Sequence, residues 1–254
     1  MSKALGKVYI VGAGPGDPGL ITVKGLRILR RGDVVIYDRL VNPELLKHAI
    51  KAKEMICAGK KGGKAHLQGE INRLMIERAR QGLTIVRLKG GDPMLYGRVG
   101  EECQALREAG VPYEVVPGVS AFQAAAAYSE IYVTQRRYSS SISIATGHEE
   151  EGRKKGRVNL VLLAKASDTL IIFMGISRLE EIVGELLGGG LDPRTPIAIV
   201  QRASLKGQLV VRGSLSNIAQ KAARAGLEPP AVIFVGKAVE YMPRRSWFKC
   251  RRAK

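Results

Sequence analysis

The sequence predicts an α/β protein built from two domains. Short apolar segments of strand length alternate with segments of helical periodicity along the whole chain, which is typical of α/β folds. In the second half, two apolar segments at 197–200 and 208–212 follow each other closely, so the sheet there should be mixed. At 254 residues the chain is long enough for two domains. We place them at 1–117 and 118–243, followed by a basic tail at 244–254.

The first domain should contain a sheet whose strands are mostly followed by helices. Strands are predicted at 7–11, 34–37, 55–58, 83–86 and 113–116. Thr22 and the pair Asn42-Pro43 are typical of helix starts, and Gly110 is typical of a helix end. If the sheet is parallel, the loops after its strands meet at one edge, where open α/β sheets bind ligands.

The second domain is predicted to begin with an alanine-rich helix at 120–128. Strands are then predicted at 141–145, 170–175, 197–200, 208–212 and 232–235. A helix should follow at 178–187, and a later helix should be capped by Ser214 or Ser216.

The composition indicates a folded protein without a membrane span. Apolar residues make up 45% of the chain and charged residues 25%, and no apolar run approaches the roughly 18 residues needed to cross a bilayer. The three cysteines are far apart, which argues against disulfides and cysteine-built metal sites. The short segment before the first strand leaves no room for a signal peptide, so we expect a cytoplasmic protein.

The balance of charge is strongly basic. The chain has 41 Lys and Arg residues against 23 Asp and Glu residues, which gives a net charge of +18. Such a charge predicts a polyanionic partner, either a nucleic acid or a small molecule with several anionic groups. Aromatic residues make up only 5% of the chain, which provides few side chains for stacking on bases. Charge alone leaves both kinds of partner open.

The stretch RLKGGDPMLYGR at 87–98 is the most informative in the chain. It follows a predicted strand and precedes a helix predicted at 101–109. Gly90 and Gly91 would allow a ligand to approach the backbone closely. Asp92 precedes a proline and is therefore biased toward an extended conformation. A tight turn with a helix cap is the alternative explanation for the Gly-Asp-Pro sequence by itself.

Two nucleotide-binding motifs are present only in part. The loop GAGPGD at 12–17 resembles a dinucleotide fingerprint, but Asp17 stands where the third glycine should be. The lysine-rich loop at 59–64 lacks the Gly-Lys-Ser/Thr ending of a P-loop. A nicotinamide enzyme and a nucleoside triphosphatase are therefore disfavoured.

Taken together, these loops resemble those of the tetrapyrrole methylase superfamily, and within it the uroporphyrinogen-III C-methyltransferases. The matching segments occur in the family's order and cover the chain from Lys7 to about Lys237. They are VGAGPGD at 11–17, YDRLV at 37–41, GKK at 59–61, the whole stretch 87–98, VPG at 116–118, ATGH at 145–148 and FMG at 173–175.

This resemblance implies a fold, a reaction and a set of partners. The fold would be two α/β domains with S-adenosylmethionine bound in the cleft between them, and the protein would be a homodimer. The reaction would be two methyl transfers to uroporphyrinogen III, at C2 and C7, giving precorrin-2 for sirohaem or cobalamin synthesis and S-adenosylhomocysteine. The substrate carries eight carboxylates, which would account for the basic charge. We expect neither a nucleic acid nor a membrane as partner, and no metal.

The resemblance also implies roles for individual residues. Asp38 would be the proton acceptor and Lys60 the proton donor. The residues that would contact the cofactor are Pro15, Gly90, Gly91, Asp92, Leu95, Ser120, Ala121, Met174 and Ala203. Our candidates for binding the substrate carboxylates are basic residues, namely Arg39, Lys61, Arg98, Arg136 and Arg137.

The chain departs from the family pattern at two positions. Met94 stands where the family usually has Phe, and Gln135 stands where it usually has His. The alternatives within the superfamily are a later cobalamin-pathway methylase and diphthine synthase. Outside the superfamily, the alternative is a basic RNA-binding protein.

Overall fold

The chain folds into two compact units, unit 1 (Met1–Ala121) and unit 2 (Phe122–Lys254). The computed structural model describes residues 4–59, 68–148, 158–243, 246–248 and 251–252. The boundary that the sequence suggested after residue 117 lies a few residues before this division.

Unit 1 is built on a five-stranded sheet in which every strand pair is parallel. Its strands are β1 (Val8–Gly12), β2 (Val34–Tyr37), β3 (Glu54–Cys57), β4 (Ile85–Lys89) and β5 (Tyr113–Val116). Their order is β3-β2-β4-β1-β5, so β4 lies in the middle of the sheet between β2 and β1. The loops that follow the strands therefore share one edge.

Strand β4 lies further along the chain than predicted. We ended this strand at Val86 because Arg87 and Lys89 look like loop residues, but both belong to β4 and are buried. The prediction was wrong because hydrophobic periodicity assumes that buried strand residues are apolar. Here a buried charged residue on another element, described below, pairs with both cations. The alternation of Arg87 and Lys89 with apolar neighbours is the period of two expected of a strand.

Four helices of unit 1 lie in the described part of the chain. They are α1 (Val23–Leu29), α2 (Pro43–Leu46), α3 (Gln68–Arg80) and α4 (Val99–Glu108). The two predicted helix starts are confirmed, since Thr22 Oγ1 accepts a hydrogen bond from the Gly25 N–H and Asn42 Oδ1 accepts one from the Glu44 N–H. Gly110 follows α4 with φ +67°, a conformation that favours glycine.

The two faces of this sheet bury different apolar clusters. One cluster joins Ile10, Ile36 and Ile85 to Met75 of α3 and Leu106 of α4. The other cluster contains the alternate strand residues, among them Val11, Val35, Val86 and Leu88, together with Leu29 of α1 and Leu45 of α2. Because side chains alternate along a strand, Arg87 and Lys89 share the face of Ile85, which α3 and α4 cover.

Unit 2 contains a six-stranded mixed sheet, as predicted. Its strands are β6 (Ile142–Thr146), β7 (Thr169–Phe173), β8 (Pro196–Gln201), β9 (Leu209–Ser214), β10 (Ala231–Gly236) and β11 (Arg251–Arg252). Their order is β11-β9-β8-β10-β7-β6, with parallel pairs at both ends and antiparallel pairs between them. Two residues of the predicted tail therefore belong to this sheet.

The described helices of unit 2 differ from the prediction in two places. They are α5 (Ala121–Ser129), α6 (Leu160–Ala166), α7 (Leu179–Gly188) and α8 (Ile218–Arg224). Helix α6 was missed; it begins where Asn159 Oδ1 accepts a hydrogen bond from the Leu162 N–H. The predicted cap at Ser214 or Ser216 is wrong, because the residue before α8 is Asn217, whose side chain accepts from the Ser214 N–H instead.

Among the helices in the described part of the chain, none has the length and apolar character needed to cross a membrane.

Candidate active site

Three loops of unit 1 meet at the carboxyl edge of its parallel sheet through their glycines. The Gly14 N–H donates to the Gly91 carbonyl at 3.3 Å, and the Gly91 N–H donates to the Gly14 carbonyl at 2.9 Å. A Cβ atom on Gly12 would lie 2.6 Å from Gly118 Cα, so the loops after β1 and β5 touch backbone to backbone. Glycine is required at this contact because any side chain would force the loops apart.

A Cβ atom on Gly90 or Gly91 would meet no close neighbour, although Gly91 itself exchanges hydrogen bonds with Gly14. A Cβ atom on Gly91 would have no protein atom closer than 3.7 Å, and one on Gly90 would first meet Leu40 Cβ at 3.4 Å. Gly91 also has φ +69°, a backbone conformation that other residues rarely adopt. Both positions therefore have room for a Cβ atom, Gly90 is half-buried and Gly91 is buried, and their role in binding S-adenosylmethionine stays a prediction.

The Asp92 side chain links two of these loops by hydrogen bonds. Its Oδ1 accepts a hydrogen bond from the Met94 N–H and its Oδ2 accepts one from the Gly118 N–H, both at 2.9 Å. The carboxylate therefore joins the loop after β4 to the loop after β5. Each oxygen can accept a second bond, so direct contact with a cofactor stays a prediction.

Asp38 lies at the same edge, directly after β2. Its backbone N–H donates to the Leu88 carbonyl at 3.0 Å, which fixes it beside the end of β4. Its side chain is 32% exposed, and its Oδ1 accepts a hydrogen bond from Arg87 Nη2 at 2.5 Å. The predicted proton acceptor thus occupies a defined position at the carboxyl edge of the sheet.

Arg87 belongs to a buried charged cluster that the sequence analysis did not identify. Within it, Glu102 Oε1 accepts hydrogen bonds from Arg87 Nε at 3.0 Å, from Lys89 Nζ at 2.9 Å and from Gln68 Nε2 at 3.2 Å. The side chains of Arg87, Lys89 and Glu102 are at most 5% exposed. Glu102 Oε2 is also buried and has no hydrogen-bond partner among the described residues.

A sequence signal for this cluster existed. Arg87 and Lys89 alternate with Val86 and Leu88 immediately before the glycines, which indicates a strand with two cations on one face. Glu102 lies in α4, which covers that face, but its distance of 15 positions from Arg87 hides the pairing in the sequence.

The thiol nearest to this cluster is not suited to nucleophilic catalysis. Burial raises the pKa of the Cys103 thiol, and the neighbouring Glu102 carboxylate raises it further. The thiol therefore stays protonated at neutral pH and is a poor nucleophile.

The other candidates in unit 1 surround these loops. Pro15, Leu95 and Ala121 are half-buried, Ser120 is buried, and Arg39 and Arg98 are exposed. Ala121, the last residue of unit 1, is the nearest neighbour, because its N would lie 3.7 Å from a Cβ atom on Gly91. The Arg98 guanidinium donates two hydrogen bonds to Glu101, each at 2.8 Å, and already has an anionic partner.

Four candidates belong to unit 2. Met174 directly follows β7, is 48% exposed and has φ 53°, a strained conformation for a side chain of this size. Ala203 follows β8 between Arg202 and Ser204, which also have positive φ values. Arg136 and Arg137 are exposed within the turn closed by hydrogen bonds between Gln135 and Ser139.

Lys60 and Lys61 lie outside the described residues, so their predicted roles stay predictions. The preceding Gly59 is described, and a Cβ atom there would lie 2.8 Å from Arg39 Cβ. The loop after β3 therefore begins beside Arg39. In the described ranges, no group of three or more His, Cys, Asp or Glu side chains is arranged to bind a metal ion.

The chain is similar to known proteins over most of its length. Residues 7–219 match the family model of tetrapyrrole (corrin/porphyrin) methylases. The uroporphyrinogen-III C-methyltransferase of Methanocaldococcus jannaschii is 45% identical over 93% of this chain and 98% of its own length. The uroporphyrinogen-III C-methyltransferase of Bacillus subtilis is 42% identical, but the match spans 97% of this chain and 51% of that protein. The siroheme synthase of Pseudoalteromonas atlantica is 44% identical over 52% of its length.

Solved structures show the same similarity. One is uroporphyrin-III C-methyltransferase from Thermus thermophilus complexed with S-adenyl homocysteine, with a TM-score of 0.79, 41% identity, and coverage of 92% of this chain and 99% of that one. Another is a cobalt precorrin-4 methyltransferase, with a TM-score of 0.81, 33% identity, and coverage of 92% of this chain and 95% of that one.

Proposed function

This chain belongs to the tetrapyrrole (corrin/porphyrin) methylase family, and we propose that it methylates uroporphyrinogen III with S-adenosylmethionine as the methyl donor. The product would be precorrin-2, formed by two successive transfers to C2 and C7. Family membership confirms the resemblance that the sequence predicted. The relatives named uroporphyrinogen-III C-methyltransferase support the choice of substrate within the family.

The observation that carries this proposal is the joint presence of a carboxylate and a pair of glycines at one sheet edge of unit 1. Asp38 provides the carboxylate, and Gly90 and Gly91 are positions where a Cβ atom would meet no close neighbour. The glycines fit a cofactor that must approach the main chain closely, as the sequence predicted. S-adenosylmethionine, when bound, supplies an electrophilic methyl group on a sulfonium.

Asp38 would act after a ring carbon of the substrate has been alkylated. The alkylated ring carries positive charge and must lose a proton from a neighbouring bridge carbon. A carboxylate that is partly exposed and held by a neighbouring guanidinium can accept this proton, and a general base typically contributes roughly 10²- to 10⁴-fold to the rate. Lys60 remains our candidate for the proton donor.

The basic charge of the chain is suited to a substrate with eight carboxylates. Arg39 and Arg98 are exposed in unit 1, and Arg136 and Arg137 are exposed in unit 2. Arginine binds carboxylates through two parallel hydrogen bonds. We propose these four residues and Lys61 as substrate ligands. We also retain two earlier predictions as proposals, the homodimer that the family resemblance implies and the cytoplasmic location that the sequence predicts.

The length of the match limits which activities of the relatives can be proposed for this chain. The chain spans nearly the whole methyltransferase of M. jannaschii but about half of the siroheme synthase of P. atlantica. The proposal therefore concerns methyl transfer, and the further activities of the longer relatives are not part of it. Precorrin-2 could enter either sirohaem or cobalamin synthesis.

The decisive experiment is incubation of the purified chain with uroporphyrinogen III and isotopically labelled S-adenosylmethionine. Mass spectrometry should show a product that is heavier by two methyl groups, with label in both. A parallel incubation with cobalt-precorrin-4 tests the alternative that the second structural relative suggests. Methylation of cobalt-precorrin-4 alone, or of neither compound, would overturn the proposed substrate.

A further inference from the structure

The buried charges of β4 are not explained by stability. Arg87, Lys89 and Glu102 stand where the sheet buries apolar residues, and replacing such clusters with apolar side chains is often neutral or stabilising. One oxygen of Glu102 accepts three hydrogen bonds, while the other is buried without a partner in the described part of the chain. A cluster arranged in this way indicates a role other than packing.

The Arg87 guanidinium is fixed by three acceptors in different directions. Its Nε donates to Glu102 Oε1 at 3.0 Å, its Nη1 to the Ile36 carbonyl at 3.4 Å, and its Nη2 to Asp38 Oδ1 at 2.5 Å. Because the guanidinium is planar and its donors have a fixed geometry, these bonds define its orientation. Glu102 therefore influences the position of the Asp38 carboxylate through Arg87.

Arg87 holds only one side of the Asp38 carboxylate. Among the described residues, it is the one side chain that bonds to this carboxylate, and it does so at Oδ1. Oδ2 is the oxygen that we assign to the transfer of the substrate proton. Since the Asp38 side chain is 32% exposed, it has access to a substrate, whereas the Arg87 side chain is 3% exposed and has none.

Lys89 connects the same cluster to the loop after β4. Its Nζ shares Glu102 Oε1 with Arg87, and its Cε lies 3.3 Å from where a Cβ atom on Gly97 would stand. Arg87, Lys89 and Glu102 carry a formal charge of +1 together, and the carboxylate of Asp38 balances it. The carboxylate thus completes a cluster in which three members are inaccessible to a ligand.

We infer that Glu102 and Arg87 are positioning residues for Asp38, with Glu102 acting through Arg87 and never touching the substrate. Arg87 holds Oδ1 so that Oδ2 faces the proton that the alkylated ring must lose. This inference rests on the proposed function, because it assigns the cluster to the proton-transfer step of that reaction.

The test uses a triple variant, Arg87→Met/Lys89→Met/Glu102→Leu, in the full chain. This variant should remain folded, with an unfolding temperature at or above that of the wild type, because the three buried charges are replaced together and the remaining carboxylate of Asp38 is partly exposed. It should bind S-adenosylhomocysteine in calorimetry with affinity close to that of the wild type. Its turnover should fall by roughly 10²-fold, the cost of a misplaced catalytic group, with a smaller change in the Michaelis constant.

Coupling to Asp38 separates positioning from a general structural effect. In an Asp38→Asn background, the triple substitution should lower turnover by less than about threefold, because residues that act as a unit have non-additive effects. Arg87→Lys provides a second variant that keeps the charge but cannot reach all three acceptors, and it should lose turnover by an intermediate factor. Arg78→Met is the matched control, since Arg78 also pairs with a carboxylate in this unit but lies away from the cluster, and its turnover should be unchanged.

The outcomes separate the two levels of the proposal. If the wild-type chain methylates no tetrapyrrole, the proposed function fails before any variant is compared. If the wild type is active, the positioning role is overturned by wild-type turnover in the triple variant or in Arg87→Lys. An equally large loss with and without Asp38 would also overturn it.

Discussion

Strands β4 and β7 occupy similar places in the two units but bury different chemistry. Each lies inside its sheet, and each is followed by a loop that carries predicted cofactor contacts. The side chains of β7 from Leu170 to Ile172 are buried and apolar, whereas β4 buries Arg87 and Lys89. Both strands could be packed with apolar residues, so the charges of β4 support our proposal that the edge of unit 1 is organised around the carboxylate of Asp38.

The largest effect should follow from placing the charge of β4 into β7. Ile172 lies fully buried opposite Ile233 and Ala145, in an apolar cluster with no carboxylate among its members. We expect Ile172→Arg to lower the free energy of unfolding by about 3–5 kcal/mol or more, because the buried cation has no partner. Chemical denaturation of the full chain measures this loss.

The control for this comparison is Ile172→Val, which should cost only about 0.5–1.5 kcal/mol. If Ile172→Arg were as stable as Ile172→Val, then a buried cation in these sheets would need no partner. In that case the cluster at Glu102 would lose its significance.

The second prediction contrasts the two ends of β2. Asp38→Asn keeps an oxygen that can accept from Arg87 but removes the base, so turnover should fall by roughly 10²-fold or more. The affinity for S-adenosylhomocysteine should stay within a few-fold of the wild type. Steady-state kinetics and calorimetry provide the two measurements.

Asp33 is the matched control at the amino end of β2. Its Oδ2 accepts a hydrogen bond from the Thr84 N–H at 2.9 Å, and an asparagine can provide the same acceptor. Asp33→Asn should therefore leave turnover almost unchanged. Equal losses in both variants would show that the two ends of the strand do not differ in function.

The third prediction separates a glycine at a backbone contact between loops from a glycine that we predict to contact the cofactor. A Cβ atom on Gly12 would lie 2.6 Å from Gly118 Cα, so Gly12→Ala should lower the free energy of unfolding by about 1–3 kcal/mol. A Cβ atom on Gly90 would first meet an atom at 3.4 Å, so Gly90→Ala should change stability by less than about 1 kcal/mol.

Ligand affinity should show the opposite order. Gly90→Ala should weaken binding of S-adenosylhomocysteine by about tenfold or more, equivalent to about 1.4 kcal/mol. Calorimetry on the folded variant measures this change. Wild-type affinity in Gly90→Ala would remove Gly90 from the predicted contacts.

Interactions between residues that are close in the sequence were easier to predict than interactions between distant residues. The helix starts at Thr22 and Asn42 were readable because each cap bonds to a residue two or three positions away. The pairing of Arg87 with Asp38 spans 49 positions and depends on the strand order, so no local pattern reveals it.

The error in the predicted end of strand β4 has the same cause, an interaction between residues that are distant in the sequence. Hydrophobic periodicity assumes that a buried position is apolar, and Glu102 invalidates that assumption for Arg87 and Lys89. The glycine loops were found because their sequence is distinctive and family-specific. Only the structure shows which of those glycines lie against another backbone segment and which have room for a Cβ atom.

The smallest predicted effect concerns a partly buried ion pair between helix α3 and strand β3 of unit 1. Arg78 of α3 donates two hydrogen bonds to Glu54 of β3, at 2.8 and 3.0 Å, and these bonds hold the pKa of the Glu54 carboxyl below its usual value. A carboxyl whose pKa is lower in the folded state stabilises the fold above its unfolded pKa of about 4.3, and this contribution is lost as the pH falls through the folded pKa. The Glu54 side chain is 38% exposed, so solvent limits the contribution to about 0.5–1 kcal/mol.

Glu54→Gln should therefore be less stable than the wild type at pH 7, and the difference should shrink as the pH falls below about 4. Denaturant unfolding of both proteins across this pH range measures the difference. In an Arg78→Met background, the substitution should have little effect at either pH, because the guanidinium causes the shift. A difference that persists at low pH, or that survives the loss of Arg78, would mean that Glu54 stabilises β3 through packing. The pair would then resemble the apolar contacts of β7 more than the charged cluster of β4.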